Sequence, residues 1–237
     1  MDYDRNQRYF KPRPRLKWPL IFLLVGILTS AIGMFLVGLP LAIIAVVWLF
    51  VAFGGRPVDA EMDAAAASLM GDFRKQAFNK LGVEEEEIAL ADPIEFWGWD
   101  FDARLDDEKN LSARYVRGKD NVWRSSEVFI GGFYFSEDVV HYYYKIVSLV
   151  SDATIEGTEE YFYKDIVSVK TESKNVAKRD PRTGAEDPKV RLRYETFVLR
   201  NSGGESTVCS VRDPKTAEAA VAAFRALLKQ KKLADKQ

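Results

Sequence analysis

The sequence predicts an α+β chain in which a two-helix transmembrane hairpin precedes an antiparallel β domain closed by a C-terminal helix. Three observations carry this. The stretch from Trp18 to Phe53 contains no Asp, Glu, Lys, Arg, His, Asn or Gln. From Val122 onward, β-favouring segments alternate with turn residues. The last segment, "DPKTAEAAVAAFRALLKQKK", repeats apolar residues with a helical period on one face.

The apolar run is too long for one comfortable crossing. As a single helix at about 1.5 Å per residue it would reach roughly 54 Å, against a hydrocarbon core about 30 Å thick. A fold-back at Gly38 and Pro40 relieves this, because Pro40 lacks an amide hydrogen and Gly38 tolerates positive φ. The expected helices cover about 18–37 and 39–53, and a Pro-kinked single span is the competing arrangement. Gly26, Gly33 and Gly38, with Ser30 and Ala31, offer small-residue positions for close helix packing. The preceding tail, 1–17, carries Arg5, Arg8, Lys11, Arg13, Arg15 and Lys17 against Asp2 and Asp4. Basic flanks stay inside. The expectation is therefore a multi-pass protein of a bacterial-type inner membrane, with two crossings and both ends cytoplasmic. No cleavable signal peptide is expected, since the apolar run far exceeds such a core.

Residues 54–57 read as a linker and 58–82 as one amphipathic helix. Asp59 suits its N-cap, Gly82 its end, and Met62, Ala66, Leu69, Phe73 and Ala77 form its apolar stripe. Residues 83–121 form an acidic, Trp-rich segment. Within 83–108 eleven acids face one base, Arg104, and "PIEFWGWDFD" suggests a strand or an aromatic turn. Asp100 and Asp102 look like the start of a calcium loop, but Arg104 occupies the next ligand position, so a solvated acidic face is the better reading.

The β domain spans 122–237. Gly131-Gly132 is expected to mark a bulge or bend, Ser173–Pro188 a polar loop, and Asn201-Ser202-Gly203-Gly204 a hairpin turn. In the last helix Asp213 caps and Pro214 takes the first position. Its apolar face consists of Ala217, Ala220, Val221, Phe224, Leu227 and Leu228.

The order "EEYFYKDIVSV", "ETFVLRNSGGESTVCSV" and "AEAAVAAFRALL" resembles bacterial pleckstrin-homology-like or GRAM-like domains over roughly Val122 to Lys232. That resemblance implies a bent antiparallel sheet or partial barrel closed by the terminal helix, and a role in binding lipid, peptide or protein.

Chemistry is sparse. One cysteine, Cys209, and one histidine, His141, exclude an intramolecular disulfide and a Cys/His zinc site. Cys209 reads as a buried small residue and His141 as an ordinary strand residue. Tyr142, Tyr143 and Tyr144 must alternate between core and a semi-exposed face. No phosphate loop or nucleophile motif appears, so no enzyme activity, metal or cofactor is expected. Lys174, Lys178, Arg179, Arg182, Lys189, Arg191 and Arg193 outnumber the three acids between them and are the candidate contacts to anionic lipid headgroups or a protein partner. Aromatics do not interleave with these bases in sequence, which argues against nucleic acid. The expected role is a non-enzymatic, membrane-tethered interaction module. The alternatives are an accessory subunit of a larger membrane complex, a homo-oligomer, or a carboxylate-based enzyme.

Overall fold

The computed structural model describes residues 1–11, 16–88, 90–102, 114–179 and 186–234. The side chains of 52, 53, 178, 179, 186–190 and 234 lie outside the description. The chain forms two compact units, Asp2–Val58 and Asp59–Gln237.

The first unit holds helices α1 (Tyr3–Phe10), α2 (Lys17–Ala31) and α3 (Phe35–Phe53). Asp2 caps α1 by accepting from the Arg5 amide at 3.0 Å. Helix α2 ends at Gly33, not at Gly38 and Pro40. Gly33 sits at φ +87°, Met34 N–H donates to the Thr29 carbonyl at 3.1 Å, and Gly33 N–H donates to Ser30 at 3.1 Å. This paired closure by a left-handed glycine satisfies carbonyls that the last turn leaves open. Gly38 and Pro40 lie inside α3, where Pro40 falls near the start and removes only the bond to Leu36. Gly38 is instead where the two helices touch. A Cβ there would lie 2.5 Å from Ser30 N, and one on Gly26 would lie 2.7 Å from Ala42 N.

The expected transmembrane hairpin is overturned. Among the described residues no helix is long and apolar enough to cross a membrane. The fifteen residues of α2 rise only about 22 Å, short of the roughly 30 Å required, and the last two side chains of α3 lie outside the description. The inner-membrane placement with two crossings and cytoplasmic ends loses its basis with it.

The second unit is α+β. The expected helix over 58–82 is two helices, α4 (Asp59–Ser68) and α5 (Phe73–Leu81), and Gly82 closes α5 in the left-handed region. The described strands form three sheets rather than one bent sheet or partial barrel. Strands β1 (Ile94–Asp100), β4 (Glu127–Phe135), β5 (Val139–Ser148) and β6 (Thr154–Phe162) pair antiparallel in the order β1-β4-β5-β6. Strands β2 (Tyr115–Arg117) and β3 (Trp123–Ser125) form a short ribbon. Strands β7 (Ile166–Arg179), β8 (Glu186–Asn201) and β9 (Ser206–Val211) make the third sheet. Much of the expected loop 173–188 is thus strand, and the β7–β8 register slips next to Pro188, between Ala177 and Lys178.

Helix α6 (Pro214–Ala234) docks between the two larger sheets. Asp213 caps it, accepting from the Lys215 amide at 3.2 Å and the Thr216 hydroxyl at 3.0 Å. All six residues of its expected apolar face are buried, and they join Phe96, Phe133, Phe135, Tyr142, Phe197 and Cys209 in one core. The opposite face of the four-stranded sheet is covered by α5. Phe73 stacks on Tyr143 with centroids 5.1 Å apart, and Phe78 meets Tyr134 edge-on at 5.2 Å. Both faces being occupied explains why every residue of β4 is buried and why Tyr143 is not semi-exposed. Gly131 and Gly132 make no bulge, since β4 runs through them in register with both neighbours. They make room for rings: a Cβ would lie 2.9 Å from the Phe129 ring at Gly131 and 2.7 Å from Tyr134 Oη at Gly132.

Strand β1 also touches β9. A Cβ on Gly98 would lie 2.5 Å from the Ser210 carbonyl carbon, and Arg212 N–H donates to the Trp97 carbonyl at 2.7 Å. This contact seats the end of β1 beside the end of β9, and Trp99 and Val211 from these two ends line the groove described next.

Candidate functional site

Strand alternation places Arg191 and Arg193 of β8 on one exposed side, with Leu192 buried between them. That side faces a groove of about 530 Å³. Its other basic residues are Arg117, which ends β2, and Arg212, which follows β9. Its apolar wall is Trp99, Phe101, Trp123 and Tyr194. Among the described residues one carboxylate, Glu195, also lines it, and it already accepts from the Ser173 hydroxyl at 2.5 Å.

The groove is held from below. Arg124 of β3 is fully buried and donates to both oxygens of Asp63 at 2.9 and 2.6 Å, and to Asp120 at 3.0 and 2.7 Å. Asp120 also accepts from the Val122 amide at 3.0 Å, and Asp59 from the Lys119 amide at 2.7 Å. These bonds fix the β2–β3 turn, which carries Arg117, Asn121 and Trp123. A Cβ on Gly118 would lie 2.4 Å from an Arg124 nitrogen and 2.5 Å from Asp120 Oδ1, so a side chain there would have to displace this network. Arg212 leans on Asp63 at 3.4 Å, which orients it without a tight pair. The Arg124 guanidinium holds the Asp120 carboxyl well below the usual range.

On the aromatic side, Phe101 packs against Tyr194 at 5.0 Å. Burial pushes the Tyr194 phenol upward, so it stays neutral and donates to Asp102 Oδ1 at 3.2 Å. Asp100 accepts from the Asp102 amide at 3.0 Å. These two acids serve the local turn, and among the described residues no group of three His, Cys, Asp or Glu side chains could hold a metal ion. Trp99 is 4 % exposed and its Nε1–H finds no acceptor among the described residues. The described lining is rich in donors through its four arginines, whose guanidinium nitrogens donate only. Such a lining suits a ligand that accepts hydrogen bonds and carries negative charge.

Of the residues singled out from sequence, Arg191 and Arg193 reach this groove. Lys174 lies over the Tyr194 ring, 5.8 Å from its centroid. Arg182, and the side chains of Lys178, Arg179 and Lys189, lie outside the described residues. Sequence reasoning missed Arg117, Arg212, Trp99 and Trp123. The Asp120-Asn121 turn between Val116 and Trp123 was a usable hairpin signal for two of them; nothing local marks Arg212. His141 lies elsewhere, 3.1 Å from Glu160. Cys209 is buried, 3.3 Å from the Tyr142 hydroxyl.

Compared with known proteins, the chain matches no family model, no curated protein and no solved structure. The resemblance to pleckstrin-homology-like or GRAM-like domains has no family match behind it and is withdrawn.

Proposed function

We propose that the chain is a non-enzymatic interaction module that takes an acidic segment of a protein partner in the arginine–aromatic groove. The observation that carries this reading is the convergence of Arg117, Arg191, Arg193 and Arg212 on one aromatic-walled groove that, among the described residues, has Glu195 as its one carboxylate. Arginine forks fit carboxylates in two-point geometry, and the aromatic wall gives the rest of a peptide apolar surface to cover. Among the described residues the lining holds no nucleophile beside a base, and the reading is one of binding. A fluorescein-labelled octaglutamate peptide, followed by anisotropy at low salt, tests the reading. Saturable binding is expected, weakening with added salt and falling at least about tenfold in the double variant Arg191→Glu/Arg193→Glu. Equal binding by both proteins, or none by the native chain, would overturn it.

A second reading, membership of a larger assembly, is favoured by one observation. Helices α2 and α3 show large apolar side chains, among them Leu36 at 95 % and Phe50 at 79 % exposure. Apolar surface this continuous is normally covered. Purification in mild detergent is expected to yield a particle heavier than one protein chain, after the detergent contribution is subtracted by light scattering. A lone monomer would count against this reading.

A further inference from the structure

We propose that the outer edge of β6 is a second interaction surface, which takes an extended segment of a protein partner as an added strand, the segment carrying Lys or Arg at every second position. No residue of β6 lines the arginine–aromatic groove, so this inference stands apart from the reading above.

The edge of a sheet presents a row of amides and carbonyls with which another strand can pair. The two larger sheets end at β1, β6, β7 and β9. Of these, β1 and β9 lie against each other at Gly98 and Ser210. Strand β7 is closed by its own chain. Arg225 donates to the Val169 carbonyl at 3.0 and 2.8 Å, Lys232 donates to the Ile166 carbonyl at 2.7 Å, and the pairing slips between Ile166 and Ser168. Strand β6 has no such cover. It pairs with β5 along its whole length without a slip, contains no Lys, Arg or Pro, and is exposed everywhere except at Gly157 and Tyr161. Among the described residues no loop or side chain bonds to its outer backbone.

The acids of β6 select the occupant. Glu156 and Glu160 share one face, with Thr158 between them, and Glu159 lies on the other. Each is held beside the edge by its own chain. Glu156 accepts from the Tyr143 hydroxyl at 2.9 Å and from Lys80, and Glu159 accepts from the Thr207 hydroxyl at 3.1 Å. Glu160 lies 3.1 Å from His141 with 60 % of its side chain exposed. A second copy of the chain, paired antiparallel about Thr158, would set Glu156 against Glu160, and like charges directly opposite are destabilising. A strand with cations at alternate positions turns the same spacing into cross-strand ion pairs, while its backbone completes the hydrogen bonds of the edge.

The test uses the full native chain and an octapeptide of alternating lysine and valine. Its control is the same peptide with every backbone nitrogen methylated, which keeps all the charge and has no amide hydrogen to give. The unmodified peptide is expected to bind at least about tenfold more tightly than the methylated one. Amide hydrogen exchange should show every second residue between Thr154 and Phe162 open to water in the free chain and protected once the peptide is added. Glu160→Lys should weaken the unmodified peptide by about three- to tenfold. Equal binding of the two peptides would mean attraction by charge without strand addition, and would overturn the proposal. So would protection confined to residues outside β6, no binding at all, or a native dimer that protects the same amides with no peptide present. None of these outcomes bears on the arginine groove, whose probe carries the opposite charge.

Discussion

Phe224→Ala is expected to remove about 4 kcal/mol of stability, the middle of the range for deleting a fully buried phenylalanine side chain. Phe224 is fully buried in α6 and lies edge-on to Phe133 at 5.5 Å and Phe135 at 5.1 Å, with Phe197 at 6.0 Å. These three rings belong to both larger sheets, so one truncation weakens the helix's hold on each. The surrounding rings are flat and mutually packed, and they collapse poorly into the space left. Urea unfolding followed by near-ultraviolet dichroism should show a lower midpoint with an unchanged slope. A loss below about 1 kcal/mol would mean that α6 does not close this core.

Arg124→Ala is expected to cost about 3 kcal/mol. Breaking a buried ion pair from one side commonly costs about 3–5 kcal/mol, and the lower end applies because Asp63 and Asp120 side chains keep 29 % and 43 % of their exposure. The same network gives a pH signature. Asp120 titrates below its ordinary 3.8 in the folded chain because of its hydrogen bonds to Arg124. A carboxyl depressed in this way contributes stability that is complete above its unfolded value and is lost as the pH falls toward the folded one. The difference between native chain and variant should therefore be full at pH 7 and shrink on acidification below about pH 4. A difference that stays constant between pH 7 and pH 3 would show that Arg124 acts by packing alone.

What the sequence revealed and what it hid have physical causes. The α6 face was legible because a cap, a proline at the first helical position and six periodic apolar residues agree with one another. The turn at Asn201–Gly204 was legible for the same reason: Gly204 adopts φ +85° and Gly204 N–H returns to Asn201. The helix break after Ala31 was misplaced because Pro40 outweighed Gly33 as a stop signal. A proline early in a helix disturbs little, whereas a left-handed glycine closes one outright. Gly131 and Gly132 were read as a backbone defect when their reason is the rings of Phe129 and Tyr134. The groove was half legible. Arg191 and Arg193 stand out as a local charge run, but their partners come from the ends of β1, β2 and β9, and only the pairing of distant strands brings them together.

Gly98 has one more effect. Because its lack of a side chain lets two peptide planes lie directly against each other, the separation of the sheets along this seam is gauged by backbone thickness, a dimension that does not vary with composition. Core residues elsewhere can drift in size while the calibre of the groove's mouth stays constant. A methyl group at position 98 would act as a shim, moving Trp99 at the end of β1 away from the arginines on β8 and after β9 without any of them being altered.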